Sequence, residues 1–348
     1  MSKMEVRKLG DIEDLGIIEM GRGNVISKND ILSTPGNYPV YSSSSSNNGE
    51  IGRYGKYMFD DERITWSIDG GGKLFYRNNI KYSVTNVCGW LKVLDEKKII
   101  SKYLYYLLIN QWQKLNFNYS HKAHPSVIRN EYYVPNIEIK VQEEIVKILD
   151  SFTNLIDALN EELSLRQKQF EYYREKLLNS NECSKTKKLQ YFAKIMNGKD
   201  YKHLGKGQIP LMGSGGIMGY VDSYLYNKKS VLLSRKGSIE KVYYIEEPFW
   251  TVDTLYWTKI DEKKIIPKFL YYILSSIHIE NYALNGGIPS MTQSILYNID
   301  VPYIDKDLQQ SIVEKLDAFE SLISSLKEEI ALRQKQYEYY REKLLTFD

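Results

Sequence analysis

The stretch LRQKQFEYYREKLL, residues 165–178, returns as LRQKQYEYYREKLL at 332–345, with Phe170 replaced by Tyr337 as the single difference. A long internal repeat overrides any local reading of a chain, because each copy must fold as the same unit. The register between the copies is 167 residues, and it reaches back to Val134–Pro135 and Val301–Pro302. A second block, DEKKIISKYLYYLL from Asp95, returns as DEKKIIPKFLYYIL from Asp261. Elsewhere the halves agree in outline only. Each has a Lys-Leu pair (Lys8–Leu9, Lys188–Leu189), then a glycine loop (Gly21-Arg22-Gly23, Gly198-Lys199). Each then has a residue before proline leading into a Ser/Gly loop, YPVYSSSSSNNG and IPLMGSGGIMG. A further glycine turn follows, IDGGG at Ile68 and RKG at Arg235. The chain is a tandem duplication of a unit of about 170 residues.

The repeated block reads as helix. From Ile145, apolar or seam positions fall at Leu149, Phe152, Ile156, Leu159, Leu163, Arg166, Phe170, Tyr173 and Leu177. The second copy runs Ile312, Leu316, Phe319, Ile323, Leu326, Ile330, Arg333, Tyr337, Tyr340 and Leu344. Alternating steps of four and three make an a/d heptad seam. Neither stretch holds Gly or Pro, so each predicts a continuous rod of about 55–60 Å. An amphipathic rod of that length needs a partner for its seam, and the two copies packed antiparallel supply one.

The remaining segments predict mixed globular domains. Short β-type runs (ITWSI, KLFYR, VLLS, KVYYIE) lie between Gly, Asn and Ser turns. One helix per domain is expected at KYLYYLLINQWQKL and KFLYYILSSIHIENYAL, and Ser42–Ser46 is expected to be a loop between strands. The predicted fold class is α+β: two mixed α/β domains in tandem, separated by two long antiparallel coiled-coil helices about a pseudo-two-fold axis. The expected divisions are 1–140, 141–180, 181–306 and 307–348.

Composition narrows the function classes. The 348 residues carry a net charge of +3, mildly basic and below what a self-sufficient DNA-binding domain usually shows. If the protein binds DNA, partners are expected to supply part of the phosphate neutralisation. Cys88 and Cys183 are too few for a disulfide framework or a zinc ribbon. No run of about 18 apolar residues appears. The opening MSKMEVRKLGDIEDLG has acidic residues where a signal peptide needs an apolar core, so a reduced cytoplasm is expected.

These residues resemble the specificity subunits of type I restriction–modification systems. Family helices open with Pro, then a Gln/Glu pair and Ile-Val. Here Pro135 precedes Gln142-Glu143-Glu144-Ile145-Val146, and Pro302 precedes Gln309-Gln310-Ser311-Ile312-Val313. The family's proline and Ser/Gly motif is matched by Pro39–Gly49 and Pro210–Gly219, and its glycine turn by Asp69–Gly72 and Arg235–Gly237. Ser311 stands where Glu is usual, and 348 residues is compact for the family.

The resemblance implies two target-recognition domains that each read half of a split DNA sequence. It implies that the helices carry two methyltransferase subunits, with restriction/translocase subunits joining the full complex. S-adenosylmethionine, ATP and Mg then belong to those partners, and this chain itself is expected to be non-catalytic, with no cofactor or metal of its own. It has no (N/D)PP(Y/F) tetrapeptide, and Gly70-Gly71-Gly72-Lys73 lacks the spacing and the Ser/Thr of a phosphate loop.

Candidate DNA ligands follow from loops that can offer donors to base edges and phosphates. In the first domain they are Ser43, Ser44, Asn47, Lys73, Arg77, His121, Lys122, His124 and Ser126. In the second they are Ser214, Arg235, Lys236, Lys241, Ser290, Thr292 and Gln293. A simple solvated loop is the competing reading for each, and an HxxH metal pair competes for His121 and His124. The candidate partner-docking face is Arg166, Gln169, Tyr172, Tyr173 and Arg174, with Arg333, Gln336, Tyr339, Tyr340 and Arg341. Packing between the helices competes for Tyr173 and Tyr340. Arg166 and Arg333 either fix register or anchor the partner, paired with Glu162, Glu329 or a partner carboxylate, or lie at the bundle edge with their heads in solvent. The alternative function is a DNA-independent coiled-coil tether between two protein partners.

Overall fold

The structure is a computed structural model, which describes residues 5–44, 46–180, 183, 185–277, 279 and 290–347. The chain divides into two compact units, Met1–Leu159 with Glu329–Asp348, and Asn160–Glu328.

The first unit opens on β1 (Val6–Lys8), α1 (Leu9–Asp14), β2 (Ile18–Arg22) and α2 (Lys28–Ser33). Strands β3 (Tyr38–Tyr41), β4 (Glu50–Tyr54), β5 (Arg63–Ser67), β6 (Leu74–Arg77), β7 (Ser83–Val84) and β8 (Cys88–Val93) follow. Then come α3 (Ser101–Trp112), α4 (Pro125–Glu131), β9 (Tyr133–Pro135) and the long helix α5 (Ile139–Leu178). The strands form an antiparallel sheet in the order β2-β8-β5-β6, a sheet β4-β3-β7 whose β3–β7 pair is parallel, and the ribbon β1-β9. All five residues of β5 are buried although Arg63-Ile64-Thr65-Trp66-Ser67 alternates polar and apolar, so both faces of this central strand are covered.

The second unit repeats the plan. It contains β10 (Thr186–Lys188), α6 (Leu189–Phe192), β11 (Ala193–Asn197), β12 (Lys206–Gly213) and β13 (Gly216–Val221). After these come β14 (Ser230–Ser234), β15 (Val242–Ile245), β16 (Trp250–Thr251) and β17 (Leu255–Ile260). Helices α7 (Pro267–Ser276) and α8 (Gln293–Tyr297), strand β18 (Asp300–Pro302) and the long helix α9 (Lys306–Leu345) complete the chain. The sheets are β11-β17-β14-β15, β13-β12-β16 with a parallel β12–β16 pair, and the ribbon β10-β18. Strand for strand, the topologies match. The Lys-Leu pairs close each ribbon: Leu9 and Leu189 are fully buried and donate N–H to Tyr132 O and Ile299 O at 2.9 Å.

Both long helices are 40 residues and share one register across the duplication. The start of α5 and the end of α9 belong to the first unit, where Phe152 stacks on Tyr340 at 5.3 Å between ring centroids. The end of α5 and the start of α9 belong to the second, where Tyr173 stacks on Phe319 at 5.4 Å. These are the same two positions of the repeat, each pair contributing about 0.5–1.5 kcal/mol beyond its buried area. In each unit the early part of one long helix therefore meets the late part of the other, as an antiparallel seam requires. The buried residues of that seam continue into the domain cores: Ile145, Leu149, Tyr337 and Leu345 in one, and Leu178, Ile312 and Leu316 in the other.

A buried glutamine fixes each long helix to its domain. Gln142 Oε1 accepts the Ile100 N–H at 2.9 Å, and its Nε2 donates to Lys98 O and Ile137 O at 2.9 and 3.0 Å. Gln309 repeats this with Ile266 N, Lys264 O and Ile304 O. The two are 1% and 0% exposed. Each satisfies backbone groups beside the start of a domain helix that would otherwise be stranded in the core.

Two sequence expectations are revised. Helix α7 stops at Ser276, with Ile277 already extended, whereas the apolar spacing suggested continuation; residues 278 and 280–284 of that stretch lie outside the described residues. The Ser/Gly segments are not alike either. In the first unit Tyr41 pairs with Glu50 around an eight-residue loop, within which Ser45 is not described. In the second, Gly213 pairs with Gly216, leaving Ser214-Gly215 as a two-residue hairpin turn.

Candidate nucleic-acid interface

In the first unit, loops from three distant segments meet. The loop after β3 is closed by Ser42 N–H donating to Gly49 O at 2.9 Å, with Asn47 and Asn48 at φ 46° and 55°. It abuts the turn after β5, where a Cβ on Gly70 would lie 2.0 Å from Ser43 O. The loop before α4 lies against the same turn. Ala123 N–H donates to Ile68 O, Trp66 Nε1 donates to Ala123 O at 2.7 Å, and Trp112 Nε1 donates to Gly71 O at 2.8 Å. The buried Trp66 indole and the half-buried Trp112 indole thus hold polar loop backbone, as Trp N–H groups taken from water must find acceptors.

On this platform Ser43 and Ser44 are half-buried, and Asn47 and His121 are exposed. Lys122 pairs with Asp69 at 2.9 Å, and that carboxylate holds its ammonium above the usual lysine range. The Lys73 ammonium lies 5.4 Å from the Phe75 ring centroid. Ser126 stands exposed on α4. His121 stacks on Phe117 at 5.3 Å, whereas His124 Nε2 lies 3.4 Å from Arg22 Nη1, so the two rings are engaged separately. Among the described residues no group of three potential metal ligands gathers.

Arg77 is a correction. It does not offer its charge to a phosphate: it is 2% exposed, its guanidinium lies 3.5 Å from the Tyr41 ring centroid, Nε donates to Thr65 Oγ1 and Nη2 to Asn48 O at 2.6 Å. Burial pulls its pKa down, and these contacts offset the cost. Arg77 supports the Ser/Asn loop from beneath.

The second unit builds the same kind of platform. Met291 N–H donates to Arg235 O at 2.9 Å, Lys236 and Ser290 form a bridge, and Tyr256 Oη donates to Met291 O. Tyr243 Oη donates to Ser214 O at 2.8 Å, and Ser214 N–H donates to Thr254 Oγ1. Arg235 is half-buried with Nη1 donating to Asp253 O, while Lys236 and Lys241 are exposed. Thr292 caps α8, accepting from Ile295 N–H. Gln293 Nε2 donates to Asn197 Oδ1 at 3.3 Å. Residues 285–289 of the expected loop lie outside the described residues.

The sequence reading missed Arg22 and Asn197 as candidates. They end β2 and β11, face His124 and Gln293, and are exposed. The signal was present in the glycine that follows each.

On the long helices, Arg166 and Arg333 pair with the preceding Glu162 and Glu329 at 3.3 and 3.2 Å and donate to Gln169 and Gln336, partly solvated at the edge of the helix. Arg174 lies over the Phe170 ring at 5.3 Å. Tyr173 and Tyr340 pack between helices, whereas Tyr172 and Tyr339 point outward. Arg341 is turned inward: it is buried and donates to Gln113 Oε1, so it does not belong to an accessible face as the sequence suggested.

The chain is similar to known proteins along its length. The model of the type I restriction modification DNA specificity domain matches the chain twice, at residues 1–165 and 175–332. A putative type I specificity subunit of Mycoplasma pneumoniae is 30% identical over 359 residues, covering 97% of this chain and 96% of that one. The MpnII specificity subunit of the same organism is 39% identical over 171 residues, covering 47% of this chain and 51% of that one, about one repeat. Among solved structures, the type I system S subunit from M. genitalium superposes with a TM-score of 0.70 at 16% identity, over 99% of this chain and 97% of that one. A chain from a structure on assembly and conformational transition of the type I system gives a TM-score of 0.57 at 12% identity, over 100% and 99% of the two chains. The chain belongs to the family of type I restriction–modification DNA-specificity subunits.

Proposed function

We propose that each unit reads one half of a two-part duplex DNA target and that the long helices carry two methyltransferase subunits. The observation that carries this reading is a contrast within one chain. A common framework presents different side chains at matched loops, Ser43, Ser44, Asn47 and Lys122 against Ser214, Arg235, Lys236 and Gln293, while residues 165–178 and 332–345 differ once. Divergent reading loops suit two different half-sites, and near-identical helix surfaces suit two copies of one partner. The chain is then non-catalytic and cytoplasmic. S-adenosylmethionine, ATP and Mg act in the methyltransferase and restriction/translocase subunits. Those partners also supply the phosphate neutralisation that a net charge of +3 leaves incomplete. No helix of the described residues is long and apolar enough to cross a membrane.

The test is to exchange residues 181–306 for the matching segment of another specificity subunit and map the sites methylated by the reconstituted complex. One half of the recognised sequence changes and the other is retained. A change in both halves, or in neither, would refute separate reading.

A further inference from the structure

The last residues of β2 and β11 sit in one backbone setting but carry different side chains. Arg22 O accepts from Trp90 Nε1 at 3.0 Å, and Asn197 O accepts from Trp257 Nε1 at 3.1 Å. The next residue is glycine in both units, packed so closely that a Cβ on Gly23 would lie 1.9 Å from Val84 O, and one on Gly198 1.9 Å from Val252 O. The main chain is therefore held at the carbonyl of the position by an indole donor, and closely packed at the glycine that follows. Side chains held on rigid elements present donors with less positional spread than those on free loops.

The side chains themselves are exposed and face the reading loops. Arg22 Nη1 is 3.4 Å from His124 Nε2, at the start of α4. Asn197 Oδ1 accepts from Gln293 Nε2 at 3.3 Å, at the start of α8. No carboxylate of the described residues forms an ion pair with Arg22, in contrast with Lys122, which is tied to Asp69. Its guanidinium keeps donors for a ligand. Among the described residues, Asn197 keeps both Nδ2 hydrogens and the second lone pair of Oδ1. In the major groove, Arg matches O6 and N7 of guanine bidentately, and Asn matches N6 and N7 of adenine.

We infer that Arg22 and Asn197 are specificity-determining residues, Arg22 reading a guanine in the half-site of the first unit and Asn197 an adenine in that of the second. His124 and Gln293 position them. This rests on the reading that each unit recognises one half-site, and extends it to named atoms.

The experiment uses the full chain reconstituted with its methyltransferase subunits. Recognised sequences are mapped by methylation, and affinity is measured on cognate and single-substituted duplexes across a salt series. The wild-type complex must first show a two-part sequence. If it shows none, the half-site reading itself fails and this assignment with it. Given that sequence, Arg22→Ala lowers discrimination at one G·C pair by about tenfold or more and leaves every other position unchanged. Arg22→Asn moves the preference there toward A·T, and Asn197→Arg moves one position of the other half toward G·C. A uniform loss across sequences, with a salt slope shallower by about one, would make Arg22 a phosphate ligand and overturn the assignment. Unchanged recognition in Arg22→Ala would also overturn it. Should Arg22→Ala fail to assemble, Arg22→Asn and Asn197→Arg decide the matter in its place: both must alter one base pair in their own half-site alone, and any other pattern overturns the assignment.

Discussion

Arg77 shows how a charged residue is diverted from solvent to support. Its guanidinium fills the space between the Tyr41 ring, Thr65 and the Asn48 carbonyl, and Asn48 itself has φ 55°, a conformation that needs holding. Arg77→Ala removes a cation–π contact and leaves a buried acceptor unmatched, a loss of about 2–4 kcal/mol confined to the first unit. Arg77→Lys restores little, because an ammonium cannot span both hydrogen bonds while lying flat on the ring. Hydrogen exchange resolved by unit, read in parallel with unfolding, checks this. Unchanged stability with uniformly weaker DNA binding would return Arg77 to the phosphate-binding set. From sequence, Arg77 and Arg235 look alike, each a basic residue at a strand end. What separates them is the strand β6 that turns position 77 toward Tyr41, a contact between residues 36 positions apart that no local pattern records.

At the scale of elements, the long helices were legible because a seam is written in heptads, whereas the clamp that orients each domain on them was not. Gln142 and Gln309 stand one step outside the apolar seam, and a buried amide resembles a surface one in any hydropathy pattern. Matched strand order was equally hidden: the parallel β3–β7 and β12–β16 pairs join segments that share no periodic signal. The clamp has a measurable consequence. Gln142→Ala strands the Ile100 N–H and the carbonyls of Lys98 and Ile137, costing roughly 2–4 kcal/mol. Amides at the start of α3, Ile100 among them, then exchange roughly 30-fold faster or more, while Ile266 and α7 in the second unit keep their protection. Equal loosening of both units would mean that the clamp acts globally and not on its own domain.

For the molecule as a whole, duplication is the deepest constraint, because anything that recognises one copy of the repeated helix finds the other. The inner tyrosine of each YY pair is consumed by packing on Phe319 or Phe152. The outer one is left in solvent: Tyr172 is 59% exposed and Tyr339 60%, with Leu165 at 59% and Leu332 at 66% one heptad earlier. Two large side chains standing mostly in water at the same places in both copies are positions where a partner gains about 1–2 kcal/mol each by covering them. If this face docks the methyltransferase, the stoichiometry of the complex reports it. Tyr172→Glu places a charge in one of the two docking faces, so the wild-type pair of methyltransferase subunits falls to one per chain in native mass spectrometry. Tyr339→Glu does the same at the other copy, and the double variant captures none while keeping its helical circular dichroism. Full capture by the double variant would move the docking face elsewhere on the helices. Loss of both subunits in either single variant would mean that the two copies form one joint site, and that the repeat does not act as two equivalent handles.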